Sequence, residues 1–137
     1  IMLKAAKEVV SKYPDKLKLM VVESVPFYEY RKLMMSCDAI VDQLYSYTPS
    51  MNPLEAMSHG LICIGGGEPE NYEVLNETEL RPIVNVEPTF KSVYSQIENM
   101  VLHPENISTM QRQSIEYIRK HHDYIKVAKQ YEKLYMK

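Results

Sequence analysis

Apolar residues along this chain fall into two kinds of pattern that take turns. Four runs are short, rich in β-branched residues and bounded by polar or turn-forming positions: Leu17–Val22 (LKLMVV), Ala39–Leu44 (AIVDQL), Leu61–Ile64 (LICI) and Pro82–Val86 (PIVNV). Runs of this length predict buried strands. Between them the pattern is helical. Residues 1–13 are helical in composition, Pro26 opens a helix through FYEYRKLMMS, Pro53 opens another, and Thr89–Leu102 carries Phe90, Val93, Ile97 and Val101 at helical spacing. Strict alternation of this kind predicts parallel strands joined by helical crossovers, an α/β fold with a Rossmann-like sheet flanked by helices. After residue 104 no strand signal returns. Ile107, Met110, Ser114 and Ile118 fall on one stripe and Tyr124, Val127, Tyr131 and Leu134 on another, with HHD at 121–123 as the break and Asp123 as an N-cap. Two closing helices are expected. A doubly wound unit ordinarily opens on a strand whose loop holds a phosphate. This sequence opens inside a helix, so the expected sheet is truncated at its N-terminal strand, and the edge so left favours self-association.

Bulk properties narrow the picture. At 137 residues the chain is one domain's worth, with 16 basic and 18 acidic residues spread along it and a net charge of −2. No basic stripe argues for nucleic acid. Cys37 and Cys63 lie in or beside apolar segments without Cys/His ligand spacing, which predicts buried thiols in a reducing compartment and no metal. There is no run of 18 apolar residues and no charged segment leading into an apolar one, so the expectation is a cytoplasmic domain.

The stretch SMNPLEAMSHGLICIGGGEPE, residues 50–70, concentrates the candidate chemistry. Asn52 is a strong N-cap, Pro53 suits the first helical position, Glu55 falls where a capping box needs an acid, and Gly60 is the expected stop. The same geometry serves a ligand. A helix N-terminus at the carboxyl edge of a parallel sheet offers free N–H groups to a diphosphate, while Glu55, turned sideways, accepts from paired hydroxyls as an acid does with ribose. Both readings can hold together. GGGEPE is equally double: glycines let a ligand approach backbone N–H groups, and also simply turn the chain out of a strand. Glu68 and Glu70 are by default solvated carboxylates. His121 and His122 are adjacent, hence on different helix faces, and are read as a helix junction rather than metal ligands. Most of the eleven tyrosines fall on helical stripes, at 117, 124, 131 and 135, and are assigned to core or interface packing. Asp42 at a strand end lacks the paired acids and the lysine that a phosphoacceptor needs.

These residues carry a resemblance. CDAIVDQLYSYTPSMNPLEAMSHGLICIGGGEPE is similar to the carboxyl-terminal, nucleotide-sugar-binding domain of GT-B fold glycosyltransferases of the retaining group called family 4, in its "aDi.vdq" strand, its "lEAMa.G" helix (Leu54–Gly60) and its "GG.pE" loop (Gly66–Glu70). The upstream VVESVPFYEYRKLMMSCD matches the strand, loop and helix that precede those motifs in the group. The resemblance implies that Glu55 binds the donor's ribose hydroxyls, that backbone at Asn52, Pro53 and above all Leu54 faces the diphosphate, and that Ser24 and Val25 lie beside the base. Tyr47, Ser50 and Met51 would face the transferred sugar, with Gly66, Gly67 and Glu70 supporting the loop. No cofactor or metal is implied.

Departures from the family pattern are specific. A glutamate that usually contacts the sugar eight positions before Glu55 is Tyr47 here, and the usual glycine and phenylalanine are replaced by SMNP. The basic pair that neutralises the diphosphate belongs to the opening strand and loop, and the acceptor-binding amino-terminal domain is not in this sequence. The expectation is therefore the donor-binding half, residues 1–137, of an enzyme transferring a hexosyl group to a saccharide or lipid-linked acceptor, inactive alone and, when intact, open to a membrane-peripheral location. A GT-B fold sugar-nucleotide epimerase and a non-catalytic nucleotide-binding or interaction module are the alternatives.

Overall fold

The computed structural model describes all 137 residues. Seven α-helices and three strands follow in the order α1 (Met2–Lys12), α2 (Phe27–Met35), β1 (Ala39–Val41), α3 (Met51–Ser58), β2 (Ile62–Gly65), α4 (Pro69–Val74), β3 (Val84–Asn85), α5 (Phe90–Leu102), α6 (Ile107–His121) and α7 (Tyr124–Tyr135), with a single 3-10 turn at Pro104–Asn106. The strands form one parallel sheet in the order β1-β2-β3, Ile40 opposite Cys63 and Ile64 opposite Val84. The α/β class and the helical ending follow the sequence pattern.

Central β2 is buried along its whole length. Its side chains alternate between two cores, as a strand's period of two requires. Ile64 joins Ala5, Val9, Val86, Val93 and Ile97 under α1 and α5, whereas Cys63 joins Met57, Tyr72, Ile83, Tyr117 and Ile118 under α3, α4 and α6. Each large side chain so covered contributes about 1.5–3 kcal/mol relative to exposure. Glu98 of α5 accepts hydrogen bonds from Lys12 Nζ (2.6 Å) and Tyr13 Oη (2.8 Å), tying the end of α1 to its neighbour.

Leu17–Val22 is not a strand. Leu17 and Leu19 turn into the core beneath α1 and α5 while Met20 and Val21 stay exposed, so this short apolar run packs part of its side chains without pairing with any strand. The remaining strands are shorter than their apolar runs. Val41 ends β1 because Asp42, although its N–H still donates to the Ile64 carbonyl at 2.8 Å, turns its side chain to the following loop. β3 begins after Pro82, which has no N–H to give a ladder.

Closing helices α6 and α7 form as the two stripes predict, and Asp123 caps α7 by accepting from the N–H groups of Ile125 and Lys126 at 3.1 Å. Their packing differs. α6 buries Ser114, Tyr117 and Ile118, whereas α7 buries nothing, so Tyr124, Tyr131 and Tyr135 are exposed rather than packed. No helix is long and apolar enough to cross a membrane.

Candidate functional site

The site is built around the first turn of α3, which starts two residues earlier than its proline suggests. Ser50 is the N-cap, in extended conformation, and Pro53 stands third in the helix, a position whose N–H has no intrahelical acceptor and is dispensable. Asn52 is consequently not the cap and Glu55 closes no capping box. The Leu54 N–H, expected to face a diphosphate, is taken by the Ser50 carbonyl at 3.4 Å. The N–H groups of Met51 and Asn52 are the ones left free at this end. Gly60 does end the helix, at φ +88°, where a side chain would be strained.

Three side-chain contacts hold that turn from outside the helix. Asp42, at the end of β1, accepts from the Ser50 N–H (3.2 Å) and from the Ser50 hydroxyl (3.1 Å). Asn52 Nδ2 donates to Tyr30 Oη at 2.6 Å. Arg31 Nε lies 3.3 Å from Glu55 Oε1, both side chains partly exposed. An ion pair so open adds little stability, and it leaves the Glu55 carboxylate facing α2 with its other oxygen unpaired. Tyr30 and Arg31 are successive residues of α2. That helix thus clasps α3 at two points.

Beside the clasp runs a groove of about 600 Å³ between α3 and the α6–α7 junction. Met51, Leu54, Glu55 and Ser58 form one wall, Ile118, His122, Tyr124 and Val127 the other, with Phe27 and Asn52 at the α2 side. No lysine or arginine lines it. The groove suits a ligand with an apolar planar part and hydroxyls for Glu55, and has no counter-charge for phosphate. Asp42 already places a carboxylate at the α3 N-terminus, so an anion bound there needs a cation from elsewhere.

The glycine loop after β2 is closed rather than open to a ligand. A Cβ on Gly66 would stand 2.8 Å from the carbonyl oxygens of both Ser46 and Thr48, and one on Gly67 would stand 2.9 Å from Ile83 Cγ2. Both glycines are small because protein backbone and side chain press on them. Glu70 is not buried with them: it is exposed in the first turn of α4, where its charge suits the helix dipole. Support comes instead from its neighbours. Asn71 Nδ2 donates to Tyr117 Oη at 3.0 Å within the core, and the Tyr72 ring meets Tyr117 edge-on at 6.2 Å.

A buried charge closes the same side. The Glu77 side chain, fully covered, accepts from Lys120 Nζ at 2.6 and 2.9 Å and has His121 Nε2 at 3.4 Å. Burial pushes its carboxyl up, but the bonds from Lys120 and His121 together hold it below the ordinary glutamate range. His122, against Tyr117 and on the groove wall, is kept below the usual histidine range by burial and by neighbouring His121. Burial pushes the Cys63 thiol up to about 12, so it is no nucleophile. No cluster of potential metal ligands is present, and the histidine pair is a helix junction.

Of the residues expected in a donor site, Asn52, Leu54, Glu55 and Met51 share the groove. Pro53 is buried beneath them. Ser50 donates its hydroxyl hydrogen to Asp42 and keeps only acceptor capacity. Tyr47 is 66% exposed on the loop following β1 and makes no hydrogen bond. Ser24, at φ +52°, and Val25 are exposed ahead of α2 and outside the groove lining. Asp42, Tyr30 and Arg31 are what sequence reasoning missed. Only Asp42 had a signal, an acid at a strand end eight residues before a helix-capping serine. Comparison with family models, with curated proteins and with solved structures returns no match to this chain.

Proposed function

We propose that this chain is the donor-binding domain of a nucleotide-diphosphate-sugar glycosyltransferase. The observation that carries the reading is the Glu55 carboxylate, paired with Arg31 at 3.3 Å and set on the wall of a largely apolar groove one turn from a helix N-terminus. A carboxylate so placed accepts two hydroxyls of a ribose, and the free N–H groups of Met51 and Asn52 lie ahead of it for a phosphate. Hexosyl transfer in such an enzyme is driven mainly by stabilising the departing diphosphate. The groove holds no cation, so that charge is met by groups outside this chain, as is the saccharide or lipid-linked acceptor. Alone, the chain binds donor without turning it over.

Calorimetric titration with nucleosides, nucleoside monophosphates and nucleoside diphosphates tests this. In the longer protein that supplies the missing cations, affinity is expected to rise with each phosphate and to need no divalent metal. Equal affinity for nucleoside and diphosphate, or none for either, contradicts it. One observation favours a second reading, a non-catalytic nucleotide-binding module: at residue 47, where the resembling enzymes place a sugar-binding carboxylate, this chain has an exposed, unbonded tyrosine. Turnover of a sugar nucleotide by the longer protein containing this domain excludes that reading.

A further inference from the structure

The even bulk charge conceals a segregation. Residues 119–137 hold six Lys/Arg against two Asp/Glu, a net +4, in a chain whose total is −2. The rest of the molecule is therefore −6. The positive end is also the least packed. α7 buries no residue, and Tyr124, Tyr131, Leu134 and Tyr135 are each more than half exposed. At helical spacing these four share one stripe, while Lys126, Lys129 and Lys133 fall on the opposite face, with Lys137 just beyond the helix. Lys126 also donates to the Arg119 carbonyl at 2.8 Å, fixing the start of α7 to the end of α6 without neutralising its charge.

We propose that α7 docks the domain on an anionic lipid bilayer, lying in the interface plane with its tyrosine stripe in the headgroup–acyl boundary. A short helix with an apolar, aromatic face and a lysine-rich polar face is the physical form of an interfacial anchor. Composition of the stripe separates this occupant from a second copy of the chain. A dry helix–helix contact would bury three phenol hydroxyls that have no partner here, whereas a bilayer boundary receives the ring in the apolar layer and the hydroxyl among headgroups. Charge adds an orientation: with Lys120 already paired to buried Glu77, the positive end still exceeds neutrality by about three charges and is drawn to an anionic leaflet that repels the acidic body. Tyr124 belongs both to the stripe and to the groove wall, so the groove opens beside the docked face. The inference stands on α7 alone and does not depend on the glycosyltransferase reading.

Flotation of the whole chain with phosphatidylcholine vesicles containing about one-third phosphatidylserine, against vesicles of phosphatidylcholine only, tests the proposal. The chain should float with the anionic vesicles and stay behind with the neutral ones, and a roughly tenfold rise in salt should release it. Lys129→Gln and Lys133→Gln should each weaken retention by roughly fivefold. Leu134→Glu should abolish it with the melting temperature unchanged, since α7 contributes nothing buried. Equal flotation with both vesicle types overturns the proposal, as does retention indifferent to Leu134→Glu. A concentration-dependent dimer that Leu134→Glu dissociates, with no vesicle binding, overturns it in favour of a second copy.

Discussion

Two segments leave the carboxyl edge of the sheet in the same way, a strand end, a loop and a short helix, and they use their polar groups differently. In residues 65–77 the groups that matter are buried against the body of the fold, while Glu70 and Glu73 stay exposed: Gly66 and Gly67 are pressed by the 46–48 backbone and Ile83, Asn71 donates to Tyr117, and Glu77 is covered by Lys120 and His121. In residues 42–58 the polar side chains at the start of α3 are only partly covered, Ser50 by Asp42 of the same segment and Asn52 and Glu55 by Tyr30 and Arg31 of α2, and Asn52 and Glu55 remain open to the groove. A satisfied, buried group stabilises. A half-open one is available to a ligand. Substitutions in the first segment should therefore change stability, and those in the second should change binding.

The largest stability effect is expected at Gly66. Its added Cβ meets two carbonyl oxygens at 2.8 Å, backbone that cannot step aside, so Gly66→Ala should cost about 3 kcal/mol in chemical denaturation. Next is Glu77→Gln, about 2 kcal/mol at neutral pH for losing charged hydrogen bonds. Its acid dependence follows from the direction of the shift. Because the folded carboxyl lies below its ordinary 4.5, the stabilisation is complete above that pH and is lost as pH falls through the lower folded value; Glu77→Gln should flatten that limb of a melting-temperature profile. His122 adds an earlier step. Its folded imidazole resists protonation, so the unfolded chain takes up the proton first and stability begins to fall below pH 6.5; His122→Gln should remove that step while leaving the lower one.

Smaller stability effects mark the other segment. Arg31→Ala should change unfolding free energy by no more than about 0.5 kcal/mol, the range of an exposed ion pair, while weakening nucleotide binding by more than that, read by calorimetry. Tyr47→Phe should leave stability and nucleotide affinity unchanged. Its hydroxyl is unbonded in the free chain, so only discrimination between donor sugars by the active enzyme should move. If Arg31→Ala instead destabilises as strongly as Glu77→Gln, the two segments are not different in kind.

What could be read from residue order divides along physical lines. Periodicity identified both closing stripes, but it reports which face is apolar and not what covers it; α6 and α7 carry similar stripes, and one is core while the other is bare. The same limit explains Leu17–Val22, where a short apolar run marks residues that pack whether or not a ladder forms. Local capping chemistry was legible at Asp123, which accepts from the Ile125 and Lys126 N–H groups. It misplaced the start of α3 because a proline is tolerated throughout the first turn, so Pro53 does not mark its beginning. Glu55 and its groove neighbours could be anticipated from their shared helix. Arg31 and Tyr30 could not, since their contacts cross 24 and 22 positions with no spacing rule to announce them.

The central claim is that Glu55 is a ribose ligand. Calorimetric titration of the parent and Glu55→Gln with a nucleoside diphosphate and its 2′,3′-dideoxy counterpart tests it as a double-mutant cycle. Removing the carboxylate should weaken the ribonucleotide by about 1.5–3 kcal/mol and the dideoxynucleotide hardly at all, with the melting temperature unchanged. Equal losses for both nucleotides, or no loss for either, would return Glu55 to a role in the surface ion pair with Arg31 and contradict the account.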